Sequence, residues 1–320
     1  MKLSIIYHIY SDVKTLEKSL KSLFNQTNKN FELILIDDYA TNEAKEILEK
    51  FDISDKKITL IRLFENYGRS FCYNLGLEKA KGDYVYFAES KNIFEADFVE
   101  TISSKINAKN KYDYISFKIP SIANNSPFKE DMEVNETNLK VWVANCSLTI
   151  RNKIIRKKFL EDNKIAFVNY KNLYPIYLFE VTSSSKKSYY IHKDLLKLEN
   201  KNYKSELFSY NLYDILESAF LLSYKINDSK IDDEMKDCYT LWLSKLCLRD
   251  FLSKMFQSYE NEKVLTIAIT KAWETIEKID INFKTNKNLD LIARTEVSDY
   301  IKKFKPTYNY VRKYIICCGN

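Results

Sequence analysis

Glycine is nearly missing from this chain of 320 residues: there are four, against a usual share of about 7%. Three of them, Gly68, Gly76 and Gly82, crowd into one short segment. Such positions need backbone freedom or a close approach that a side chain would block. Neither G-x-G-x-x-G nor G-x-x-x-x-G-K-[ST] occurs, so dinucleotide and P-loop readings lose their usual support. The six cysteines form no C-x-x-C pair and have two histidines for company, which argues against a zinc site and against a disulfide framework. No run approaches the roughly 18 apolar residues of a membrane-spanning helix. The chain opens without a basic-then-apolar leader, so the expected compartment is a reducing cytoplasm. Asn135-Glu136-Thr137 is then a chance match to a glycosylation acceptor. A block of one charge is also lacking: the net charge of +6 is spread among interspersed Lys and Glu, a solvated surface with no footprint for nucleic acid.

What is present is an alternation. Leu3–Ile9 is an apolar run of strand length, and Leu16, Leu20, Leu23 and Phe24 follow at helical spacing. Either Ser11 or Asp12 can cap that helix. Phe31–Ile36 is a second buried strand, and Thr41 opens a helix with Ala44, Ile47, Leu48 and Phe51 inward. Ile58–Phe64 is a third strand, followed by a helix from about Arg69 to Ala80. Tyr84–Ala88 is a fourth, after which an amphipathic helical pattern begins (Phe94, Phe98, Val99, Ile102). Strands alternating with helices of this length imply a parallel sheet with right-handed crossovers. Its carboxyl edge collects Tyr10, Asp37, Asp38, Asn66, Gly68, Glu89 and Lys91, the place where open α/β sheets bind nucleotides or similar ligands. Further on, Tyr112–Ile119 and Val141–Ile150 read as strands, and Phe159–Phe167 as a helix end plus a turn. Beyond Lys204 the period is helical throughout, with apolar stripes at Leu212–Phe220, Tyr239–Cys247 and Leu265–Ile276. The expected division is 1–105, a nucleotide-binding half, 106–200, the half that closes the cleft, and 201–320, a helical C-terminal domain.

Leu3-Ser-Ile-Ile, Leu16-x-x-x-Leu20-x-Ser-Leu-x-Asn25-Gln-Thr and Phe31-Glu-Leu-Ile-Leu-Ile-Asp-Asp38 resemble, in order and spacing, the start of family-2 glycosyltransferases of the GT-A fold. Asn66-x-Gly-x-Ser70, Asn74-x-Gly76 and Ala80-Lys-Gly-Asp-Tyr-Val-Tyr-Phe87 continue the match. The resemblance covers the first hundred residues well, the next hundred loosely and the helical tail hardly at all. It implies a Rossmann-like, mostly parallel sheet flanked by helices, and a nucleotide-sugar donor, a UDP-sugar. Tyr10 would then pack on the base or ribose, Asp37 and Asp38 would hold the nucleotide, with Asp38 accepting from base or ribose, and Asn66 and Gly68 would lie near the donor. It also implies inversion at the anomeric carbon and an acceptor that is a cell-surface glycan or a lipid-linked one.

The chain departs from that family where the chemistry lies. An Asp-x-Asp motif normally ends the fourth strand, its last acid holding a divalent cation on the donor's phosphates. Here it reads Glu89-Ser90-Lys91, and a Lys cannot coordinate Mg²⁺ or Mn²⁺. Tyr73 stands where an Arg is common. Leu173-Tyr174 stands where a Glu-Asp pair usually supplies the general base, and Glu161, Asp162 and Glu180 are the acids considered in its stead. Two readings stand. In one, the enzyme needs no metal, and Lys91, helped by Arg69, neutralises the departing nucleoside diphosphate. In the other, a glycosyltransferase-like chain has lost catalysis and serves as a binding or partner subunit. A pyrophosphorylase-like transferase would need a Gly-rich loop after the first strand, and none is there. Finally, residues 302–318 interleave basic and apolar side chains, a pattern that fits peripheral contact with the inner face of a membrane or packing on the chain's own domain.

Overall fold

The computed structural model describes residues 3–10, 13–106, 110–118, 128–145, 149–168, 174–197 and 212–318. The capping role expected of Ser11 or Asp12 lies outside them. The chain begins β1 (Leu3–Ile9), α1 (Val13–Phe24), β2 (Phe31–Asp37), α2 (Asn42–Glu49), β3 (Ile58–Arg62), α3 (Arg69–Lys79) and β4 (Tyr84–Glu89). A two-residue β5 (Ile93–Phe94) and α4 (Phe98–Lys105) come next. Then follow β6 (Tyr114–Lys118), β7 (Met132–Val134), α5 (Leu139–Asn145), β8 (Lys153–Arg156), α6 (Lys157–Asp162), α7 (Tyr174–Ser184), β9 (Ser188–Asp194) and β10 (Leu196–Lys197). Helices α8 (Asp214–Asp228), α9 (Asp233–Lys245), α10 (Leu252–Ser258), α11 (Glu262–Ile279), α12 (Thr295–Lys302) and α13 (Tyr308–Cys318) complete it, and a π-helical turn at Leu246–Phe251 joins α9 to α10.

The main sheet runs β3-β2-β1-β4-β8-β6-β9-β7. β3, β2, β1 and β4 are parallel, while β8 is antiparallel to both β4 and β6. β1 is buried on both faces, as a central parallel strand must be. Leu3, Ile5, Tyr7 and Ile9 point to the layer holding Leu16 and Leu20 of α1, Ala44 of α2 and Phe98 of α4. Ile6 points the other way, with Ile34 and Ile36, to Cys72 and Tyr73 of α3. Gly76 lets α3 lie that close: a Cβ there would come within 2.2 Å of Ile6 Cγ2.

The second layer does not stop at the sheet. It runs on through Trp142 and Tyr177 to Tyr239, Trp242, Leu265 and Ile276, so the helical C-terminal region shares a core with the sheet and is more than an appendage. Polar contacts fix the junction. Trp242 Nε1 donates to Val143 O at 2.5 Å, and Lys245 Nζ donates to Ala144 O at 2.6 Å. Burying that ammonium is tolerable because it answers carbonyls left open at the end of α5. Asn145 adds two bonds, Nδ2 to Leu291 O and Oδ1 from Ala293 N, both 2.7 Å.

Two expected elements differ. Residues 141–150 were to be a strand, but Leu139–Asn145 is a helix. Val141 and Val143 favour a strand locally, yet Trp142 has to reach Tyr114 Oη, to which its Nε1 donates at 2.7 Å; tertiary packing outweighs propensity. Phe94 does not open a helix. It pairs with Leu196 in the small β10–β5 sheet, and the helix starts at Phe98. At the C-terminus, Val311 is fully buried and Tyr314 stacks on Tyr300 at 3.6 Å, so α13 turns these two side chains toward its own domain. Among the described residues no helix is long and apolar enough to cross a membrane.

Candidate functional site

The carboxyl tips of β1, β2 and β4 meet beside the loop that precedes α3. At the β2 tip, Asp37 Oδ1 accepts from the amide of Ala40 at 2.8 Å, and its other oxygen faces Arg62 Nε at 3.8 Å. Asp38 is completely buried. Its carboxylate accepts from Tyr67 N at 2.7 Å, Gly68 N at 3.0 Å, Asn66 Nδ2 at 3.3 Å and His8 Nε2 at 3.0 Å. Burial alone would push its pKa up; the His8 bond and the two amides outweigh that and leave it lowered. Gly68 takes φ +82° to turn its amide inward, a conformation that favours glycine. Tyr39, the residue after the pair, sits at φ 60° without being glycine.

This corrects the expected roles of both aspartates. Neither carboxylate presents a free acceptor to the cleft. Asp37 holds the turn into α2, and Asp38 holds residues 66–68. Capping of α2 falls instead to Thr41, whose side chain accepts from Ala44 N. Asn66 is exposed at the mouth of the loop, and Tyr10 keeps 43% of its surface open with its ring 6.5 Å from that of His8.

The β4 tip is built from opposite material. Glu89 is buried, and its oxygens go to two guanidinium groups: Arg69 Nη1 at 3.0 Å and Arg151 Nε at 2.6 Å. Burial raises its pKa, but Arg151, Arg69 and Lys91 together bring it down to about 2. Asn92 Oδ1 fixes the backbone there by accepting from Glu89 N at 2.8 Å. Arg69 lies over the Tyr174 ring, 5.7 Å from its centroid. Arg69 Nε and Tyr174 Oη are both buried without a hydrogen-bond partner among the described residues. Tyr73, at the position of the expected Arg, is buried and its hydroxyl donates to Ala88 O at 3.3 Å. His8 ties the two tips together. Its pKa is lowered by burial and by Arg69, against the pull of Asp38 and Glu89, so all three charges reach one imidazole.

A divalent cation, which the Asp-x-Asp pattern would hold, does not fit this tip. Mg²⁺ and Mn²⁺ take oxygen ligands, and Glu89, the acid there, already faces two guanidinium groups with Lys91 close by. His8, Asp38 and Cys72 bring ligand atoms within 4.8 Å of one another, but Asp38 is filled by the donors above. The acids considered as general base lie elsewhere. Glu180 pairs with Lys225, Asp162 with Lys158 and Glu161 with Lys157. Leu173 is outside the described residues.

Arg151 is the residue that sequence reasoning missed, because it follows the segment misread as a strand. A signal existed. Only seven of the fifty basic residues are Arg, and Arg62, Arg69, Arg151, Arg156 and Arg249 each face a carboxylate. In a Lys-rich chain, Arg marks places where fork geometry matters.

Comparison with known proteins gives a consistent picture. The profile of the family described as "Glycosyl transferase family 2" matches residues 4–167. "Glycosyltransferase GlyA" of Streptococcus pneumoniae is 37% identical over 105 residues, which is 33% of this chain and 15% of that protein. "Putative teichuronic acid biosynthesis glycosyltransferase TuaG" of Bacillus subtilis is 31% identical over 97 residues, 30% of this chain and 38% of that one. The chain thus spans less than two fifths of either relative. Among solved structures, S. aureus TarS 1-349 in complex with UDP-GlcNAc superposes with a TM-score of 0.67 at 19% identity, covering 99% of this chain and 89% of that chain. At that identity the likeness is one of fold.

Proposed function

This chain belongs to glycosyl transferase family 2 and has the GT-A fold, and from that premise we propose that it transfers a sugar from a UDP-sugar to a hydroxyl of a cell-surface glycan or lipid-linked acceptor, with no divalent cation. The observation that carries this reading is the cationic cluster of Arg69, Arg151 and Lys91 at the tip of β4, on the edge where open sheets bind nucleotides. Supporting it, TarS was solved with UDP and with UDP-GlcNAc, and the name of TuaG refers to teichuronic acid biosynthesis.

In the proposed reaction the acceptor oxygen attacks the anomeric carbon as the bond to the diphosphate oxygen breaks, and the electron pair leaves with the diphosphate. Lys91 and the two arginines meet that charge, the part a metal plays in the relatives' pattern. Tyr10 offers its exposed ring to the base, Asn66 and the Gly68 backbone edge the nucleotide, and Asp37 and Asp38 act by holding the loops. The acceptor's proton goes to a base that none of Glu161, Asp162 and Glu180 supplies in their present pairings.

Calorimetric titration of UDP and of several UDP-sugars, in EDTA and in Mn²⁺, tests the reading. Binding of equal strength in both, followed by UDP release on addition of acceptor glycans, is the expected result. No nucleotide binding at millimolar concentration sinks it, and binding without any turnover points to a partner subunit.

A further inference from the structure

The β4 tip holds more positive charge than its own carboxylate can answer. Arg69, Arg151 and Lys91 surround Glu89, the one acid at that tip, so two positive charges remain unbalanced. A sugar nucleotide's diphosphate carries two negative charges at neutral pH. Both guanidinium groups approach Glu89 from different elements, Arg69 from the start of α3 and Arg151 from the turn before β8. Each therefore spends part of its fork on the protein itself. Arg69 Nε and Tyr174 Oη are buried yet bond to nothing among the described residues. Buried donors of this kind cost about 1–3 kcal/mol each when left unmade. A ligand rich in acceptor oxygens would satisfy them.

We propose that Glu89 is an internal stand-in for a diphosphate: in the empty protein it occupies Arg69 and Arg151, and an incoming diphosphate takes those guanidinium groups from it. This rests on the nucleotide-sugar reading above, and it gives Glu89 a role opposite to that of a metal-binding acid. A metal ligand helps the phosphates bind. A stand-in competes with them for the same donors. Guanidinium pairs with phosphate oxygens as readily as with carboxylate, so the exchange needs no new partner, only the loss of the old one. Glu89 remains close by as a positioning residue that keeps the two arginines extended between turnovers.

The two roles predict opposite signs. Binding of inorganic diphosphate and of UDP is measured by calorimetry in EDTA and again with Mn²⁺, alongside thermal melts. Glu89→Gln is expected to tighten both by about tenfold in EDTA, the effect of removing roughly 1.4 kcal/mol of competition. Arg151→Met is expected to weaken both by at least about tenfold, with no rescue by Mn²⁺. Because Glu89→Gln leaves Arg69 without its counterion and can cost folding, the double variant E89Q/R151M gives a second arm, expected to bind more tightly than Arg151→Met alone. Weaker or unchanged diphosphate binding in Glu89→Gln overturns the proposal, as does unchanged binding in Arg151→Met. Diphosphate binding with no binding of UDP or any UDP-sugar keeps the stand-in and removes the transferase reading. Sugar transfer that requires Mn²⁺ and is lost in Glu89→Gln does the reverse.

Discussion

The tips of β2 and β4 each bury one carboxylate, and the two solve the same physical problem in opposite ways. Asp38 is held by two backbone amides, a side-chain amide and an imidazole. Glu89 is held by two guanidinium groups. Both keep a lowered pKa against the cost of burial. Neutral dipoles cannot leave without unmaking the loop they belong to, so Asp38 is a structural rivet. Guanidinium groups are side chains with further donors to offer, so Glu89 is a partner that can be exchanged. The difference teaches that an acid's burial says little about its role until its donors are known.

The comparison can be broken most directly at Asp38. Asp38→Ala orphans several buried donors at once and is expected to cost about 3–5 kcal/mol, read as a lower urea midpoint with unchanged slope; a loss below 1 kcal/mol would mean the loop holds itself. Lys91→Ala at the other tip should leave the urea midpoint unmoved while weakening UDP about tenfold, about 1.4 kcal/mol. Equal effects on folding and binding would erase the distinction.

Acid should separate the tips as well. The folded His8 resists protonation, whereas in the unfolded chain it gains a proton below about pH 6.5. Stability is therefore expected to fall as pH drops past that point, by up to about 1.4 kcal/mol per unit, and His8→Gln should remove this limb. Glu89 has a depressed folded pKa, so its contribution is complete above the unfolded value near 4.5 and is lost only as pH falls toward about 2. A stability profile flat from pH 7 to 5 would contradict the first limb. The smallest effect belongs to Tyr39→Gly. Relief of a left-handed residue, about 1–2 kcal/mol, is offset by glycine's entropy, about 0.5–1 kcal/mol, for a net gain near 0.5 kcal/mol in thermal unfolding.

Much of the sheet was legible because its strands differ sharply from what flanks them. Leu3–Ile9 and Tyr84–Ala88 are continuous apolar runs, and the helices between show a clean face. Segment 139–150 was not legible, since Val141 and Val143 carry a strand preference that the Trp142 contact overrules. For the site, the sequence placed Asp38, Glu89 and Lys91 on one edge but could not say which donors each acid would find. That depends on Arg151, sixty-two positions beyond Glu89, and on amides at Tyr67 and Gly68 whose direction is set by one φ angle. Spacing reveals which groups reach an edge; the direction of their lone pairs is a tertiary fact.

One small contact has a large consequence for how the chain must be made. The Asn74 side chain pairs with Phe167 as a strand would, Nδ2 to its carbonyl at 2.8 Å and Oδ1 from its amide at 2.9 Å, and Phe167 lies in the same layer as Ile6, Ile34 and Phe87. During synthesis the alternating first third therefore emerges with one side of its sheet still bare. It stays adhesive until the later helices arrive to cover it. Severed at residue 105, that fragment should precipitate, and the missing remainder supplied in trans should bring it back into solution.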